Sequence, residues 1–262
     1  MDITCLCENT PYSDGLAAEH GLSLYIEHKQ HRLLFDAGQT DVFIRNAEQL
    51  GIDLSAVDIA VLSHGHYDHS GGLARFLECN TQAKIYLSRH AFGAHYNAAD
   101  SFIGIDPALR ESGRIVTVDD HLRLGESIEL FSGNNRELAH PIDSAGLYLI
   151  QDDIASPDTF LHEQYLKITD GERVYLISGC SHKGILNIRH WFAPDVLIGG
   201  FHFMKQAASK DNPTLQAAAR ELLRGNTVYY TGHCTGVPQY GILKEMMGER
   251  LHYLASGEHL QL

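Results

Sequence analysis

No stretch of this 262-residue chain is apolar for long enough to span a bilayer. It also lacks any run of lysine or arginine: 20 basic side chains stand against 33 acidic ones, a formal net charge of −13. A chain with that balance repels phosphate backbones, so neither nucleic acid nor a membrane is an expected partner; a small-molecule substrate is. Cysteine is scarce. The five residues Cys5, Cys7, Cys79, Cys180 and Cys234 are odd in number and scattered, which argues against a disulfide framework. Cys5 and Cys7 share one face of an expected first strand and read as buried thiols. There is no Pro/Ser-rich linker, low-complexity segment or short-period repeat. The opening Met1-Asp2-Ile3-Thr4-Cys5 has neither the basic flank nor the apolar core of a signal peptide, so the cytoplasm is the expected compartment.

What the chain does have is an ordinary globular composition, 44% hydrophobic and 20% charged, together with 17 histidines. One domain over residues 1–262 is expected, large enough to bury an ample core. Leu22–Ile26 and Arg32–Phe35 read as strands, the second ending in Asp36-Ala37-Gly38. Asp41–Leu50 reads as a helix with Ile44, Ala47 and Leu50 on one stripe and Gly51 beyond its end. His90–Tyr96 reads as helical and Asp100–Pro107 as a loop. Strands resume at Ile115–Val118 and Ile128–Phe131, and the stretch 90–146 is a candidate lid insertion or a plain surface excursion. A hairpin is expected at Tyr165–Ile168 and Val174–Ile177, turning at Asp170-Gly171. Asn212-Pro213 opens a helix with Leu215, Ala218, Ala219, Leu222 and Leu223 on its apolar face. Strand–helix alternation in both halves predicts an α/β sandwich with two sheets and outer helices.

The chain is organised around Ser63-His64-Gly65-His66-Tyr67-Asp68-His69-Ser70-Gly71-Gly72. The apolar, β-branched run Ile59-Ala60-Val61-Leu62 precedes it and a helical pattern, Leu73–Glu78, follows. The cluster therefore sits at the carboxyl end of a strand, where open α/β sheets place their chemistry. In an extended turn His64 and His66 point the same way, while Asp68 and His69 fall on the bend and face a second point. Imidazole nitrogens and a carboxylate so arranged suit two metal ions in one pocket. Other apolar strands end in Gly or Ser followed by His, Cys or Asp. Among these, Gly199-Gly200 before His202 lets backbone approach closely, which suits a general acid or a substrate contact as well as a structural histidine.

The run His-x-His-x-Asp-His between strand and helix resembles the signature of the metallo-β-lactamase fold superfamily. That resemblance implies an αββα four-layer sandwich and a dinuclear site. It assigns His64, His66 and His162 to one metal, and Asp68, His69 and His233 to the other, with Cys180 near both. It gives Asp36, otherwise a turn former, a hydrogen-bonding role beneath the metal loop. A thiolate at Cys180, and His66 where iron-binding members often carry Glu, favour zinc, with manganese and iron as alternatives. Several motifs together resemble a narrower branch: Glu19-His20-Gly21-Leu22-Ser23, Gly-Cys-Ser-His-x-Gly-Ile-x-Asn-Ile at Gly179, Gly-Gly-Phe-His at Gly199 and Gly-His-Cys-Thr-Gly at Gly232. This is the family of the 7,8-dihydropterin-6-methyl-4-(β-D-ribofuranosyl)aminobenzene-5′-phosphate synthase.

The expected activity is that of a hydrolase in which a metal-activated hydroxide attacks a small phosphorylated or pterin-like substrate. Asp68 would orient the nucleophile and His202 would act as the acid. Two alternatives stand beside it. One is a metal-dependent transferase condensing a dihydropterin diphosphate with a ribofuranosylaminobenzene phosphate. The other is a metal-binding sensor without turnover.

Overall fold

The computed structural model describes all 262 residues. The chain divides into two compact units. The first comprises Met1–Asp119, Ser144–Gln164 and Ala255–Leu262, and the second Asp120–Asp143 with Tyr165–Leu254.

In the first unit a seven-stranded sheet runs, edge to edge, through His259–Gln261, Asp2–Cys7, Ser23–His28, His31–Phe35, Ile59–Val61, Lys84–Ser88 and Ile115–Val118. The first four strands are antiparallel and the rest parallel. Parallel neighbours need a crossover, and helices Val42–Gln49 and Leu73–Cys79 supply two of them. Their apolar faces, led by Phe43, Ala47, Leu73 and Phe76, close a core with Leu34, Ala60 and Ile85. The first of these helices falls within the expected stretch, but its buried face is Val42, Phe43, Asn46 and Ala47. Of the expected stripe only Ala47 is fully buried, Ile44 is half-buried and Leu50 is exposed, because the helix is rotated so that Phe43 rather than Leu50 meets the sheet.

A small antiparallel sheet, Ile154–Pro157, Tyr148–Gln151 and Ala94–Tyr96, belongs to the same unit. It corrects the expectation of a helix over His90–Tyr96: the segment turns at Gly93 and then pairs as a strand with Tyr148–Ile150. Seven residues hold too few periods to tell helix from strand, and the partner that decides lies some fifty positions away. The stretch 90–146 contributes strands to all three sheets of the molecule.

The second unit holds another seven-stranded sheet, ordered Leu251–Tyr253, Val228–Thr231, Val196–Ile198, Arg173–Ile177, Tyr165–Asp170, Ile128–Phe131 and His121–Arg123. Its first four strands are parallel and the expected hairpin starts the antiparallel part. Helices Ile185–Phe192, Pro213–Leu222 and Val237–Met247 pack Ile188, Leu215, Leu222 and Leu243 into its core. Asn212 caps the middle helix, its Oδ1 accepting from Thr214 N at 2.9 Å and Leu215 N at 3.3 Å. Two mixed sheets flanked by helices are the α/β architecture the strand–helix alternation predicts. No helix is long and apolar enough to cross a membrane.

Candidate metal centre

The strand Ile59–Val61 delivers Ser63 and His64 to its carboxyl end. Gly65 follows because nothing larger fits: a Cβ there would overlap the carbonyl oxygen of Ala91. His66 is extended (φ −102°, ψ 148°) and leads into the one-turn helix Tyr67–Ser70, which carries Asp68 and His69. All four predicted ligands of this loop are buried, as is His162. The ring centroid of His64 lies 4.6 Å from that of His66, 4.2 Å from His69 and 5.8 Å from His162. The expected split into an extended segment and a bend is corrected: His64 and Gly65 form a bend, His66 alone is extended, and Asp68 and His69 lie on the one-turn helix.

Asp36 organises this loop from below. It is fully buried, ends the strand His31–Phe35, and adopts φ +59°, an unusual conformation for a residue with a side chain. Its Oδ1 accepts the Ser63 N–H at 2.7 Å, while its Oδ2 accepts the Ser63 hydroxyl at 2.7 Å and His69 Nδ1 at 2.6 Å. These bonds fix proton positions. The single hydroxyl proton of Ser63 is spent on Asp36, so the 2.8 Å contact between Ser63 Oγ and His64 Nδ1 needs Nδ1–H as donor. In the neutral rings of both His64 and His69 the lone pair is therefore on Nε2, the arrangement in which a carboxylate orients a metal-binding imidazole. Burial alone would depress the His69 pKa, but Asp36 and Asp68 outweigh it and hold it above the usual range. His66 goes the other way: burial, helped by His162, keeps it well below, so it presents a neutral ring.

Two buried residues that the sequence did not single out complete this side. His95 Nδ1 lies 2.7 Å from Asp158 Oδ2, and His162 Nε2 lies 3.3 Å from the same oxygen. Burial would raise the Asp158 pKa, but its contacts with His162 and His95 hold the carboxyl well below the ordinary range. One ligand atom from each of His66, His95, Asp158 and His162 lies within 4.8 Å of the others. No local pattern announces this, since His95 and Asp158 are 63 positions apart. His20, by contrast, stands in a quoted motif, and its Nε2 is 3.3 Å from Asp68 Oδ2.

In the second unit Cys180, His182 and His202 lie on loops that follow strands, and His233 opens the short 3-10 helix His233–Thr235 after another. Cys180 and His233 are buried, and Cys234 Sγ lies 3.4 Å from the Cys180 carbonyl oxygen, joining their two loops. The rings of His182 and His202 are 4.4 Å apart. Ser181, His202 and His233 take φ values of +57°, +57° and +49°. Strained backbone of this kind concentrates at functional sites, because only a surrounding structure built to hold it will keep it.

The donor set suits a divalent transition metal: imidazoles with their Nδ1 protons fixed, and an ionised carboxylate. His95 Nε2 is buried and has no hydrogen-bond partner, which is the state of a ligand nitrogen seen without its ion. Fold and site thus define a metal-dependent protein of mixed α/β architecture. The chain belongs to the metallo-beta-lactamase superfamily, whose family model matches residues 17–233.

Similar proteins agree with that placement. The chain is 31% identical over 211 residues to an uncharacterized protein of Methanocaldococcus jannaschii, covering 77% of this chain and 79% of that one. It is 28% identical over 277 residues to the 7,8-dihydropterin-6-methyl-4-(beta-D-ribofuranosyl)-aminobenzene-5'-phosphate synthase of the same organism, covering 94% and 91%. The crystal structure of Tm1679, a metal-dependent hydrolase of the beta-lactamase superfamily, superposes with a TM-score of 0.85 at 27% identity, over 100% of this chain and 99% of that one.

Proposed function

We propose that this protein is a dinuclear metal-dependent enzyme, with zinc the preferred ion, that hydrolyses a small phosphorylated or pterin-like substrate. The observation that carries this reading is the set of buried imidazoles whose tautomers are fixed by Asp36 so that Nε2 serves as ligand. Full-length similarity to a metal-dependent hydrolase supports it. His64, His66 and His162 are the ligands proposed for one ion. Asp68, His69, His233 and Cys180 are those proposed for the other. Bound ions of this kind supply Lewis acidity and lower the pKa of a coordinated water. The chain's own contributions are to hold that set rigid, to place Asp68 where it can orient the attacking group, and to offer His202 as proton donor to the leaving group.

A second reading has its own support. The synthase relative covers nearly the whole chain, so a transfer with a diphosphate leaving group stands as the alternative. One experiment separates the two. Metal-loaded protein is given a dihydropterin diphosphate in 18O-labelled water, with and without a ribofuranosylaminobenzene phosphate acceptor. Hydrolysis releases phosphate or diphosphate without the acceptor and places 18O in a product. Transfer releases diphosphate only when the acceptor is present. A protein that binds about two ions and turns over neither way on a wider panel of phosphoesters would refute both and leave a metal-binding sensor.

A further inference from the structure

Between the strands Asp2–Cys7 and Ser23–His28 the chain passes against the metal loop through Glu19-His20-Gly21-Leu22. Glu19 anchors this segment. Its Oε1 accepts the N–H groups of Gln39 and Thr40, each at 2.9 Å, and its Oε2 accepts the Thr40 hydroxyl at 2.6 Å. Gly21 allows the close approach, because a Cβ there would come within 2.7 Å of the Asp68 carbonyl oxygen. The Leu22 N–H donates to that same oxygen at 3.4 Å. A backbone held on both sides aims His20, whose Nε2 is 3.3 Å from Asp68 Oδ2.

The neighbouring amide settles which nitrogen of His20 carries the proton. Asn9 Oδ1 accepts the Gly21 N–H at 3.4 Å, which turns Asn9 Nδ2 toward His20 Nδ1 at 3.3 Å. An amide nitrogen only donates, so Nδ1 is the acceptor and the neutral ring holds its proton on Nε2. His20 therefore donates to Asp68 Oδ2. The same oxygen lies 3.7 Å from His69 Nε2, which in the neutral ring has a lone pair because Nδ1–H is bonded to Asp36. Oδ2 thus meets a proton on one side and a lone pair on the other, and only the His69 side suits a cation. The side chain of His20 is 42% exposed and that of Asp68 11%, so the imidazole reaches the carboxylate from its open side.

We propose that His20 is a positioning residue: locked as a donor by Asn9, it holds the Asp68 carboxylate in the orientation that binds an ion together with His69. It is not itself a ligand, since its Nε2 carries a proton. This rests on the metalloenzyme reading above, and the tests keep the two apart.

The first test is zinc titration against a competing chelator. H20F keeps a ring of similar size at a half-exposed position but has no N–H, and should lose roughly 10–100-fold in zinc affinity. H20Q places an amide N–H where Nε2–H was and should stay close to wild type. No loss in H20F, or an equal loss in H20Q, overturns the proposal and leaves the metalloenzyme reading intact. A wild-type protein that takes up no ion overturns both. The second test locates the proton by long-range 1H–15N correlation in the zinc-loaded protein at about pH 8, where an ordinary imidazole is neutral. His20 should be protonated on Nε2 and bare on Nδ1. A proton on Nδ1 overturns the proposal.

Discussion

A buried carboxylate with three donors is the most exposed point in this molecule's energetics. Asp36 accepts from Ser63 twice and from His69 once. Replacing it by alanine strands three buried donors and removes the partner of an ion pair at zero exposure. Metal-free D36A is expected to lose about 3–5 kcal/mol in a urea unfolding titration. S63A, which leaves its backbone N–H bonded but removes the hydroxyl between Asp36 and His64 and strands His64 Nδ1–H, should lose less, about 1–3 kcal/mol. Equal losses would mean that Asp36 packs rather than accepts.

At the scale of the element, boundaries that rest on local chemistry agree with the sequence reading. The Asn212-Pro213 start is one case: the cap bonds are present, and N212A should destabilise the protein by about 1 kcal/mol in the same titration. The hairpin at Tyr165–Ile177 forms as expected, though its two-residue turn is Gly171-Glu172 and Asp170 ends the first strand, paired with Arg173. The strand Ala94–Tyr96 was not readable, because its state is set by pairing with Tyr148–Ile150 and not by its own period. The candidate site divides along the same line. His64, His66, Asp68 and His69 form a dense local pattern, and Asp36 stands at a visible strand end. The His95–Asp158 contact joins two unremarkable stretches and exists only once the chain has folded.

At the scale of the whole molecule, charge makes a prediction about partners. Superfamily membership by itself does not decide whether nucleic acid is a partner. The net charge of −13 argues against it here. In a mobility-shift titration at physiological salt, transfer RNA should remain unshifted up to about 10⁻⁴ M protein, the weak end of ordinary non-specific binding. A micromolar, salt-sensitive shift would require a basic surface that the composition does not suggest. The second unit's sharply turned residues, Ser181, His202 and His233, are the other feature of this scale, since they lie on three different loops of one sheet.

Asp36 also has a thermodynamic consequence. The same carboxylate orients His69 directly and His64 through Ser63, and those two imidazoles are the ones proposed for different ions. Filling either position pins a ring that leans on the shared oxygen, and with it the ring on the other side. The cost of ordering is met largely by the first ion, so the second should bind a better-prepared site. Zinc titration against a competing chelator is therefore expected to show positive cooperativity, with singly loaded protein scarce at half-saturation. In D36N, where the shared acceptor is weakened, the two ions should bind as independent events, each with lower affinity. Cooperativity that survives in D36N would place the coupling elsewhere.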